Sequence, residues 1–86
     1  MPEYLLELYI SRGDARAAAD GGRRIRVATE ELTRQGRSIQ YRRTIFVPTE
    51  ETCFILFEAD SADAVRDAAH LATLPCDRVS AAFSQP

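Results

Sequence analysis

The side chains able to move protons, hold metals or attack electrophiles are few, and their spacing narrows the chemistry open to this chain. There is a single histidine, His70, so every histidine-dependent mechanism rests on it. Its place in the last turn of an expected helix, beside Arg66 and Asp67, suits an exposed cation favoured by the helix dipole. As the only imidazole it is also the one histidine candidate for metal ligation or acid/base work. The two cysteines, Cys53 and Cys76, form no C-x-x-C pair and read as free, buried thiols. All eleven cations are arginine, and the absence of lysine removes Schiff-base chemistry and a lysine general base.

Among the carboxylates, Glu7 and Glu58 stand out because they fall on the same face of strands expected to be neighbours. On neighbouring strands they form a candidate acid/base pair, since burial raises a carboxylate pKa. The competing reading is structural, with both carboxylates paired to arginine, Arg42 or Arg43 depending on strand register. Tyr9 and Tyr41 add rings and hydroxyls suited to stacking or hydrogen bonding. Glu7, Tyr9, Tyr41, Arg43 and Glu58 are therefore the candidate ligand-binding residues, and His70 is the weak candidate for a metal. The Arg23-Arg24-x-Arg26 cluster is suited to touch phosphates, but a solvated helix face is the simpler reading.

The elements that would position these groups follow from periodicity. Glu3 to Ile10 alternates as a strand, with Tyr4, Leu6, Leu8 and Ile10 on one face and Leu5, Glu7 and Tyr9 on the other. Asp14 is placed to cap a helix from Ala15 to Gln35, which Gly36 ends. Gly21-Gly22 is its weak spot, because each glycine costs about 1 kcal/mol against alanine, and frayed or separate first turns are expected. Ser38 to Val47 and Thr52 to Ala59 read as strands joined by the turn Pro48-Thr49-Glu50-Glu51, hence a hairpin. Asp60 or Ser61 caps a second helix to about Ala72, with Val65, Ala68, Ala69 and Ala72 as its apolar stripe. Pro75 stops it, and Arg78 to Phe83 forms a last strand with Val79, Ala81 and Phe83 on one face.

This order, β-α-β-β-α-β, is the split βαβ pattern of an α+β ferredoxin-like sandwich. Right-handed crossovers place both helices on one face of a four-stranded antiparallel sheet, with the first and third strands in the middle. The other face is open, and Leu5, Tyr9, Phe54 and Leu56 lie on it beside Glu7 and Glu58. An apolar patch of this kind is expected to be covered, and a second copy is the natural cover for a small domain. A homodimer of the α/β-barrel type is the expectation.

With 86 residues the chain makes one domain, 1–86, and its apolar fraction of 45% argues against disorder. No apolar run is long enough to span a membrane and no signal-peptide pattern opens the chain, so a soluble cytoplasmic protein is expected. The net charge of −2 offers no general attraction to nucleic acid or to an anionic membrane. Three familiar users of this strand order are set aside on missing residues. RNA-recognition modules need a basic-Gly-aromatic signature that Cys53 to Ala59 lacks; acylphosphatases need an asparagine, and metal chaperones a C-x-x-C.

From Tyr41 to Phe83 the chain resembles a small bacterial family of uncharacterised domains that includes a nickel-binding protein. The resemblance rests on Phe54-Ile55-Leu56-Phe57-Glu58-Ala59, on Asp60-Ser61-Ala62-Asp63-Ala64-Val65, and on Leu74-Pro75-Cys76-Asp77-Arg78-Val79. Met1-Pro2-Glu3-Tyr4 before a strand fits the family's opening. The resemblance implies a ferredoxin-like dimer whose sheets face each other, with a metal or small-ligand site. Where family members commonly carry histidine, on the second strand and in the second helix, this chain has Arg43 and Ala68. The functional expectation is a non-enzymatic small-ligand-binding or regulatory module that requires no cofactor. The alternatives are a nickel or other divalent-metal binder, and a small cofactor-free oxygenase or isomerase using the same carboxylates or His70.

Overall fold

Apolar side chains at every second position build the first strand, β1 (Glu3–Tyr9), in the computed structural model, which describes residues 1–86. It is followed by α1 (Ala15–Arg34), β2 (Ile39–Val47), a 3-10 turn (Pro48–Glu50), β3 (Thr52–Ala59), α2 (Ala62–Leu71) and β4 (Arg78–Ala82). All strand pairs are antiparallel in the order β2-β3-β1-β4, and two helices complete the α+β ferredoxin-like arrangement.

Helix ends are set by local chemistry. The Asp14 carboxylate accepts from the Ala17 N–H and the Ser61 hydroxyl from the Ala64 N–H, each satisfying an orphan donor of a first turn. Gly36, at φ +90°, closes α1 as the Arg37 N–H donates to the Leu32 carbonyl and the Gly36 N–H to the Thr33 carbonyl. The end of α2 repeats this pattern with a β-branched residue: Thr73 takes φ +57°, and the Leu74 N–H donates to the Ala69 carbonyl. The Arg24 side chain crosses from α1 to this end and donates to the Ala72 and Thr73 carbonyls at 2.6 and 3.0 Å. Arg24 therefore acts as a tertiary cap while remaining exposed on the helix face.

The glycine pair does not break α1, which runs unbroken through it. Both glycines are buried, and a Cβ at Gly22 would lie 2.5 Å from Thr44 Oγ1. The missing side chain lets the helix lie directly on β2, and this contact compensates for the poor helix propensity.

The core lies between the helices and one face of the sheet. It joins Leu6, Leu8 and Ile10 to Cys53, Ile55, Phe57 and Ala59, and beneath the helices to Ala18, Ile25, Ala28, Leu32, Ala64, Val65, Ala68 and Ala69. The alanine stripe of α2 brings that helix close to the sheet. Two expectations are corrected. The last strand stops at Ala82, whose partner Glu3 is the first residue of β1; beyond it the chain has no strand to pair with, and Phe83 is 87% exposed. Cys53 is buried as expected, but Cys76 is exposed in the connection after α2. No helix is long and apolar enough to cross a membrane.

Candidate functional site

Alternation along β3 buries Cys53, Ile55, Phe57 and Ala59 under the helices and turns Thr52, Phe54, Leu56 and Glu58 to the opposite, uncovered face. The strand register then fixes four rungs across that face. The first carries Gln40, Glu58, Glu3 and Ala82; the second Arg43, Leu56, Leu5 and Ser80; the third Ile45, Phe54, Glu7 and Arg78; the fourth Val47, Thr52 and Tyr9. The centre is apolar and half-covered by its own neighbours, since Leu5, Phe54 and Leu56 are all partly exposed and Ile45 is 44% exposed.

Of the five candidate ligand-binding residues, four share this face: Glu7, Tyr9, Arg43 and Glu58. Tyr41 does not. It pairs with Phe57, packs against the core on the helix side, and shares a 2.6 Å hydrogen bond with the Thr44 hydroxyl. The cause is a β-bulge: the register slips between Tyr41 and Arg43, leaving Arg42 as the extra residue. Positions two apart, which share a face in a regular strand, are here sent to opposite faces.

The expected pairing of Glu7 with Glu58 is also corrected. They point the same way, but Glu7 lies opposite Phe54 and Arg78, whereas Glu58 lies opposite Glu3. Four residues of extended chain separate the two rungs, about 13 Å. Glu58 and Glu3 are the adjacent carboxylates. Glu3 accepts from the Ser84 N–H at 3.0 Å, which ties the chain end to β1. The signal for Glu3 and Arg78 was present in the strand assignments, but only the register reveals their neighbours.

The six ion pairs of the chain all lie elsewhere, at Arg12–Glu51, Arg23–Asp20, Arg24–Asp20, Arg34–Glu31, Arg37–Asp67 and Arg66–Asp63. On the open face Glu3, Glu7, Glu58, Arg43 and Arg78 form none. Arg43 stands one rung from Glu58, a diagonal of about 7–8 Å that a guanidinium side chain can span. Tyr9 closes the rim: its hydroxyl donates to Glu51 at 3.4 Å, its backbone N–H donates to Asp77 at 2.9 Å, and its side chain is largely exposed.

The titration behaviour that the fold alters lies away from this face. Burial pushes the Cys53 thiol above its ordinary range, which makes it a poor nucleophile. On the surface of α1, hydrogen bonds from Arg34 and Gln35 hold the Glu31 carboxyl below its ordinary value.

His70 sits exposed in the last turn of α2, on the helix side of the molecule. No three His, Cys, Asp or Glu side chains come together in the chain in a way that would hold a metal ion. The residues of a single chain therefore do not fit the metal site that the family resemblance implies. The chain matches no family model, no curated protein and no solved structure, so the fold and the site rest on their own geometry.

Proposed function

We propose that this chain works as a homodimer, one open sheet face against another in the manner of an α/β barrel, and binds a small organic ligand between the sheets. The observation that carries this reading is the composition of the open face. An apolar centre of Leu5, Phe54 and Leu56 is ringed by three carboxylates and two guanidinium groups that find no ion-pair partner within the protomer. A face of nearly balanced, unpaired charge around apolar side chains is complementary to a second copy of itself. Such an interface is isologous, so Arg43 of each protomer can meet the Glu58–Glu3 pair of the other.

Glu58, Glu7 and Arg43 then supply the polar contacts of the enclosed space, with Tyr9 at its rim. They suit a ligand with an apolar body and one or two hydrogen-bonding groups. A binding or regulatory role is favoured over catalysis because neither a histidine nor a cysteine stands beside these carboxylates; the Ser80 hydroxyl lies one rung away on β4. The two free thiols fit a reducing compartment such as the cytoplasm. Membership of the small bacterial family with a nickel-binding member is part of this proposal and agrees with it in fold. A metal in this chain would need donors from both protomers.

The test is a native mass spectrum of the untagged protein as purified, before and after a chelator. The proposal expects a dimer, with any added mass organic and resistant to the chelator, and reduced by Glu58→Gln. A dimer whose added mass is stripped by the chelator would instead establish the metal reading.

A further inference from the structure

On the helix side of β2, α1 and the strand line two adjoining open pockets that share Arg26 and Tyr41, and together they make a groove whose charge runs against that of the chain. Its lining includes Arg23, Arg26, Arg34 and Arg42, with Tyr41 along its floor, and Glu30 is the single carboxylate among the lining residues. Two of these guanidinium groups are already compensated, Arg23 by Asp20 and Arg34 by Glu31. Arg26 and Arg42 belong to none of the protomer's ion pairs.

Three structural features hold this groove in shape. The absence of a side chain at Gly22 lets the α1 backbone rest directly against Thr44 of the strand. The β-bulge breaks the alternation of β2 and turns Arg42 toward α1 while Arg43 is sent to the open face. Tyr41 and Thr44 share one hydrogen bond between two hydroxyl groups. Whichever of them donates, the other keeps a proton with no acceptor in the chain. That half-buried O–H donor lies beside guanidinium groups which also lack an acceptor.

We infer that the α1–β2 groove is an anion site for a phosphate group carried by a small molecule, with Arg26 and Arg42 as its charged donors and the Tyr41–Thr44 pair as its neutral one. Planar guanidinium groups match tetrahedral oxyanions through paired N–H donors. The lone Glu30 opposes this attraction, so it tunes the affinity downward. The inference does not rest on the dimer, because the groove is formed within one chain by α1 and β2 and meets the proposed interface only at its edge, at Gln40.

The experiment is a titration of the folded protein with inorganic pyrophosphate at constant ionic strength, followed by backbone amide NMR. Saturable shifts are expected at Arg26, Thr33, Tyr41 and Arg42. Arg26→Gln and Arg42→Gln should each weaken binding about tenfold, the loss of one charge-assisted hydrogen bond. Glu30→Gln should tighten it, a response that a purely structural role for these residues would not produce. Shifts that are absent, scattered over all arginines, or unchanged in both arginine variants would overturn the inference. A single-stranded oligonucleotide that binds the groove when pyrophosphate does not would overturn it as well, by making the ligand a polymer backbone. Unchanged amide spectra of the unliganded variants away from the substitution would exclude misfolding as the cause of lost binding.

Discussion

Adding one methyl group at Gly21 and one at Gly22 should change stability in opposite directions, although the two residues are neighbours in the same helix. Glycine to alanine in a helix interior gains about 1 kcal/mol when the new side chain meets no obstacle. At Gly21 the nearest atom to a built Cβ is Leu74 Cδ2 at 3.8 Å, an ordinary contact, so Gly21→Ala should realise that gain. At Gly22 the Cβ would stand 2.5 Å from Thr44 Oγ1 and 3.3 Å from Thr44 Cβ. Threonine is stiff about χ1, and this hydroxyl is engaged with Tyr41 at 2.6 Å, so relief requires the helix to move off β2. Overpacking of this kind costs about 1–3 kcal/mol, which cancels or exceeds the propensity gain. A net difference of about 2 kcal/mol between the variants is expected, or roughly 10 °C in melting temperature for a domain of this size. Thermal and urea unfolding followed by circular dichroism at one fixed protein concentration would measure it, since a dimer's stability depends on concentration. Thr44→Ala should recover part of the loss in Gly22→Ala, with a coupling of about 1 kcal/mol. If Gly22→Ala stabilises as much as Gly21→Ala, the close approach of α1 to β2 is not what the glycine is for.

Other consequences concern the end of α2 and the thiols. Thr73→Gly should stabilise the protein by about 0.5–1 kcal/mol, because a β-branched residue is strained at a left-handed φ and the unfolded-state entropy of glycine takes back part of the relief. Arg24→Met should destabilise by about 1 kcal/mol, as two carbonyls at that end lose a charged donor at a partly exposed site; chemical denaturation would read both. A small aromatic disulfide reagent should titrate Cys76 at once and Cys53 only on unfolding. The raised Cys53 pKa means that the unfolded chain loses its thiol proton first as pH increases. Its contribution is therefore complete below the ordinary thiol range, about 8.5, and is lost as pH climbs through the folded-state value. Cys53→Ala should flatten that alkaline slope in a pH series of unfolding curves.

The element order was legible because this chain punctuates itself clearly. Asp14, Gly36, Ser61 and Pro75 mark helix limits by backbone chemistry that needs no tertiary context, and the alternation of β1 and β3 separates core face from open face. What local pattern does not carry is pairing between strands. Nothing in the alternation of Ser38 to Val47 reveals that Arg42 is a bulge, and so Tyr41 is expected beside Arg43 when the two lie on opposite faces. Register likewise decides that Glu58 faces Glu3 and that Glu7 faces Arg78, relations set by sheet geometry rather than by spacing along the chain. Gly21-Gly22 reads locally as a helix defect; only the tertiary approach of Thr44 shows why small residues are required there. Arg24 is one more cation in a basic cluster until the end of α2 is folded against it.

A second copy on the open sheet face would double the mass of the particle, which light scattering coupled to size exclusion reads over a dilution series. The wild-type protein should show twice the 9.6 kDa chain mass. Leu56→Arg, at the centre of the face, should give a folded monomer with unchanged helix content. A wild-type protein that remains monomeric at high concentration, or a Leu56→Arg variant that remains a dimer, would contradict the account of why this face is apolar.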